Sequence, residues 1–187
     1  MKTALILVDI QNDFCPGGAL PVPGGGEVVA PANQLLSRFA EQGRPIYLTR
    51  DWHPADHSSF KEQGGIWPHH CVVGSPGAEF HQDMIVPEGA VVVSTGAAVN
   101  KEGYSGFEGA QLADDLTRKG VEKLVVVGLA TDYCVKSTVL DALKRGFSVS
   151  VVIEGVRAVD VNPGDGQKAI EEMRENGADI VSLDDVV

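Results

Sequence analysis

The chain has 187 residues, and its 26 acidic against 15 basic side chains leave a net charge of -11. That length suits one domain over residues 1–187, and the few, scattered basic residues exclude a phosphate-backbone partner such as nucleic acid. The first apolar run stops at Asp9, too short for a secretory leader or a membrane span. The three cysteines (Cys15, Cys71, Cys134) fit neither a disulfide framework nor a paired zinc finger, so the expectation is a cytoplasmic protein with no membrane partner.

Apolar, β-branched runs alternate with longer amphipathic segments along the chain. TALILVDI (3–10) is followed by the helical pattern of 27–43, then RPIYLTRD (44–51), AVVVSTG (90–96) and a second helical pattern at 109–120. EKLVVVGL (122–129) leads into TDYCVKSTVLDALKRG (131–146), then FSVSVVIEG (147–155), a helix at 165–177 and a final DIVSL. Continuous apolar strands separated by helices predict a three-layer α/β/α sandwich with a mostly parallel sheet of about six strands.

Ligands of such folds bind beyond the carboxyl ends of the strands. The residues that stop the apolar runs here are Asp9, Asp51, Thr95 and the loop GLATDYC. One polar strand end is ordinary capping chemistry, whereas several on one rim point to a site.

Cys134 falls in the first turn of a helix predicted to start at Thr131, its N-cap, to bury Val135, Val139 and Leu143, and to end at Gly146. The helix dipole and free N–H groups favour a thiolate there. Asp9, at the end of a strand that is usually central, is the candidate acid-base partner; Asp13 is read as a turn residue.

Four of the five histidines crowd into residues 53–70 beside Asp51. Asp51 and His53, two apart in an extended segment, point the same way, and His57, His69 or His70 could add a third donor for a divalent ion. His81 is the structural outlier. Phe14, Trp67 and Tyr104 sit in nearby loops and could wall an aromatic-sized pocket. The Gly24–Gly26 run lacks the Lys and Ser/Thr of a phosphate loop.

Taken together and in order, DIQNDF, TRDWHP, WPHHC, YSGFEG and GLATDYCV resemble the nicotinamidase/pyrazinamidase branch of the isochorismatase-like hydrolases, over nearly the whole chain. The resemblance implies Cys134 as nucleophile and Asp9 as proton acceptor, with Asp51, His53 and His70 as metal ligands. His69 is second choice, and His57 either joins or supports the shell. It also implies a cis peptide between Leu129 and Ala130, with the Ala130 and Cys134 amides as oxyanion hole. The metal would be zinc, with iron or manganese as alternatives, bound to the ring nitrogen of an aromatic carboxamide packed by Phe14 and Trp67. The implied reaction is nicotinamide plus water giving nicotinate and ammonia, with a homodimer allowed by exposed helices.

The family's triad lysine directly follows the apolar strand. Aligning VVVS and YSGFEG without a gap puts Thr95 in that place and matches Lys101 to a second, loop lysine, the one candidate substitute. Two alternatives follow from Thr95: impaired or changed activity, or a silent binding protein that keeps pocket and metal. The isochorismatase branch proper, which cleaves a vinyl ether, characteristically lacks a cysteine at the position of Cys134.

Overall fold

The computed structural model describes residues 1–186; Val187, the last residue of the expected domain, lies outside them. Six strands form one parallel sheet in the order β3-β2-β1-β4-β5-β6. They are β1 (Thr3–Val8), β2 (Ile46–Asp51), β3 (Val91–Thr95), β4 (Lys123–Leu129), β5 (Ser148–Arg157) and β6 (Asp179–Val181). The sandwich expected from the alternating pattern is the one observed.

Two-residue alternation divides the central strand between two cores. Leu5 and Leu7 face a layer built on α1 (Val29–Glu41), whose Ala32, Leu35, Leu36 and Phe39 are buried. Ala4, Ile6 and Val8 face the opposite layer, made by α2 (Ala110–Arg118), α3 (Lys136–Lys144) and α4 (Asp165–Glu175). Strand order reverses between β1 and β4, and the crevice at such a reversal opens at the carboxyl ends of the strands. Asp9 leaves β1 there and Ala130 leaves β4. The two strands approach so closely that a Cβ on Gly128 would lie 2.0 Å from the Val8 carbonyl oxygen, which reserves that position for glycine.

The predicted helix start at Thr131 is only partly right. Ala130, with extended backbone, occupies the cap position without a side-chain cap, and Thr131–Val135 is a π-helical turn in which Val135 N–H bonds the Ala130 carbonyl. Regular helix begins at Lys136 and ends before Gly146 (φ 87°). Thr138, Val139 and Ala142 are its fully buried residues, with Val135 buried just before it and Leu143 packed at the margin.

Candidate active site

Asp9 lies just past β1 in left-handed backbone (φ 48°) and is buried. Its Oδ1 accepts a 2.6 Å hydrogen bond from the Thr49 hydroxyl. The carboxylates of Asp9 and Asp51 and the Cys134 sulfur lie within 4.8 Å of one another, all three residues being buried. Burial, followed by repulsion from Asp51, pushes the Asp9 carboxyl up to about 8. The Cys134 thiol is also held well above its ordinary value, first by burial and then by Asp9 and Asp51. Burial and the two carboxylates thus act against the thiolate that the helix start favours.

Thr95, at the end of β3, pairs in register with Asp51 and is buried. Its hydroxyl donates to the Arg50 carbonyl (3.3 Å) and reaches Asp51 Oδ1 at 3.4 Å, so it brings polarity but no charge. Lys101 lies apart from it. Its side chain is exposed and lines an open groove with Ser137 and Leu140 of α3, outside the cavity that holds Cys134. What Lys101 contributes inward is its carbonyl, which accepts a 2.6 Å bond from His57 Nε2.

Beside the thiol, the ligand atoms of Asp51, His53 and His70 also lie within 4.8 Å of one another. His53 Nδ1 faces the Gly96 carbonyl at 3.0 Å and His70 Nδ1 faces the Pro68 carbonyl at 2.8 Å. A carbonyl only accepts, so each Nδ1 carries a hydrogen and donates it. That leaves the Nε2 atoms facing Asp51 Oδ2, at 3.3 Å from His53 and 3.7 Å from His70. Three buried ligand atoms converging in this way suit a divalent cation, and carbonyl-anchored Nδ1–H groups are the usual outer support of such ligands.

His57 stays outside that set. Its Nε2 donates to Lys101 and its Nδ1 accepts from the Ser59 hydroxyl (2.7 Å), so neither ring nitrogen is available, and the ring stacks on His53 at 4.1 Å. His69 is exposed, stacked on Phe60 and 3.2 Å from Glu62. His81 accepts a hydrogen bond from the Asp83 amide.

One cavity joins the two groups. Cys134, Ala130, Asp51 and His70 line it, with Phe14, Trp67 and Tyr104 around them. Trp67 Nε1–H donates to the Tyr104 hydroxyl at 3.0 Å, and Tyr133 packs edge-on against Trp67 with ring centres 5.1 Å apart. The Leu129–Ala130 peptide is cis.

Several contributing residues escaped the sequence reading. Thr49, two before Asp51 on the same face of β2, was findable as a polar residue at a core position of an apolar strand. Tyr133 had only its place beside Cys134 as a signal. Gly96 and Glu108 had none: Gly96 N–H donates to Glu108 Oε2 at 2.9 Å, and a Cβ on Gly96 would lie 2.4 Å from His53 Cε1.

The isochorismatase domain pattern matches residues 3–185, and the chain belongs to that family. It is 40% identical to the nicotinamidase of Escherichia coli over 97% of this chain and 95% of the relative. It is 37% identical to the nicotinamidase/pyrazinamidase of Mycobacterium tuberculosis, over 95% and 97%. Among solved structures, the pyrazinamidase of Pyrococcus horikoshii in complex with zinc superposes with a TM-score of 0.92 at 48% identity, covering 97% of this chain and 99% of that one.

Proposed function

We propose that this chain is a metal-assisted cysteine amidohydrolase that converts nicotinamide, or a similar aromatic carboxamide such as pyrazinamide, to the acid and ammonia. The observation that carries the proposal is the Cys134 thiol, within 4.8 Å of the Asp9 and Asp51 carboxyls, in an aromatic cavity that Asp51 and His70 also line. The relatives named above act on this class of amide, and a structure with 33% identity and a TM-score of 0.91 was solved in complex with nicotinate.

In the first half-reaction Asp9, as carboxylate, takes the Cys134 proton and the sulfur attacks the carboxamide carbon. The amides of Ala130 and Cys134 hold the resulting oxyanion. The C–N bond then breaks as Asp9 returns its proton to the departing ammonia, leaving a thioester. Water attacks the thioester while Asp9 accepts a proton from it, and Cys134 leaves and is reprotonated. Phe14, Trp67 and Tyr104 clamp the aromatic ring so that its carboxamide meets the sulfur.

Asp51, His53 and His70 would hold zinc, with iron or manganese as alternatives for the same donors. When bound, the ion supplies positive charge and a Lewis-acid position on the pocket wall. Thr95 leaves the thiol end without the cation that the family places there. Such a loss costs about 2 to 4 kcal/mol of transition-state stabilisation, roughly a hundredfold or more in rate. Slow turnover is therefore the expected behaviour, and the buried hydroxyl of Thr95 is also what favours the second reading, a protein that binds the amide without hydrolysing it.

The family match from 3 to 185 and the one continuous sheet support a single domain, and nicotinate release would place the enzyme in cytoplasmic NAD salvage. Among the described residues no helix is long and apolar enough to cross a membrane. The test is ammonia release from nicotinamide by zinc-loaded protein, with a Cys134→Ala variant as blank. Release above the blank supports hydrolysis; ligand binding without release supports the silent binder.

A further inference from the structure

Gln11 is a fully buried polar residue that the reaction does not use. β1 pairs with β2 through Leu7 and Leu48, and the last main-chain bond between them runs from Asp9 N–H to the Thr49 carbonyl. The left-handed backbone of Asp9 then turns the chain out of the sheet. β2 continues to Asp51, whose N–H and C=O on that side have lost their strand partner, and buried main-chain groups must be satisfied.

The Gln11 side chain supplies the missing strand. Its Oε1 accepts from Asp51 N–H at 2.8 Å, and its Nε2 donates to the Asp51 carbonyl at 2.8 Å and to the Ala78 carbonyl at 2.8 Å. A side-chain amide reproduces both the donor and the acceptor of a peptide group, which no carboxylate or hydrocarbon does. The backbone of Asp51 is thus gripped from one side by Gln11 and continued on the other by Trp52 N–H bonding the Thr95 carbonyl (3.0 Å).

Building on the metal site assigned above, we propose that Gln11 is its positioning residue: by replacing a strand at the end of β2, its amide fixes the Asp51 carboxylate against His53 and His70. Gln11 itself touches neither the ion nor substrate. The neighbouring Asn12 makes a contrast, since its Nδ2 donates to the Pro76 carbonyl (2.8 Å) and meets no metal donor.

Cobalt(II) tests this, titrated into metal-free protein against a chelator and read by its visible absorption band, which reports coordination geometry. Wild type is compared with Gln11→Ala, the size-preserving Gln11→Met, and Asn12→Ala, with circular dichroism to establish folding. Folded Gln11 variants are expected to bind cobalt roughly 10- to 100-fold more weakly, as loss of an outer-shell partner typically does, with an altered band. Asn12→Ala keeps the wild-type affinity and band. A folded Gln11→Met protein with wild-type affinity and band would overturn the proposal. So would failure of Gln11→Met to fold, which would make the residue purely structural. Absence of cobalt binding in wild type would instead overturn the metal assignment itself.

Discussion

The two halves of the site are built to different degrees of completeness. At the proposed metal end each donor residue is held: Asp51 by Gln11, His53 by Gly96, His70 by Pro68, and their ligand atoms converge. At the thiol end Asp9 and Cys134 are equally buried and close, yet the third position, Thr95, offers only a hydroxyl. On the proposed reading the site keeps a binding geometry set by backbone and burial, while it lacks the charge that one side chain would supply where the bond breaks. Binding and turnover should therefore separate under mutation.

The largest separation is expected from Cys134→Ala, which should lower ammonia release by about a thousandfold or more, to the level seen without protein, because the covalent step is gone. Isothermal titration with nicotinate should still show binding to that variant. His70→Ala should do the opposite first: metal content measured after dialysis should fall below half an equivalent, since an Asp and one His make a weak pair of ligands. Retention of a full equivalent would remove His70 from the ligand set.

A smaller effect belongs to the cavity wall. Tyr104→Phe removes the acceptor of the Trp67 Nε1–H bond while keeping the ring, and should raise KM by about 3- to 10-fold with kcat little changed, the cost of one partly buried hydrogen bond. Equal loss in kcat would place Tyr104 in the chemistry rather than the wall.

The smallest lies far from both halves. Hydrogen bonds from Lys119 and Tyr47 hold the Asp115 carboxyl at about 2, below its unfolded value. A depressed carboxyl stabilises the fold above the unfolded pKa and loses that contribution as pH falls from about 4 toward 2. Asp115→Asn should flatten acid unfolding in that window and leave ammonia release unaltered.

The fold was legible because its signals are repeated along the chain: apolar runs stopping at Asp9, Asp51 and Thr95 fixed strands and rim together. The crowding of histidines beside Asp51 marked a donor cluster, but spacing could not decide between His57, His69 and His70. That choice is made by tertiary hydrogen bonds, which occupy both nitrogens of His57 and leave His69 at the surface. The raised Cys134 thiol was also unreadable, since the helix start was visible in sequence while the distance between Asp9 and Asp51 was not. Gln11 escaped for the same reason: its partner is 40 residues away in the chain.

The most direct test of the central claim, that the thiol end lacks only a charge, is ammonia release by zinc-loaded Thr95→Lys beside wild type and Lys101→Ala. The account predicts a rise of about a hundredfold in kcat for Thr95→Lys, with KM little changed, and less than about a twofold change for Lys101→Ala. A wild-type rate already at the level of Thr95→Lys, or one that collapses in Lys101→Ala, would contradict it.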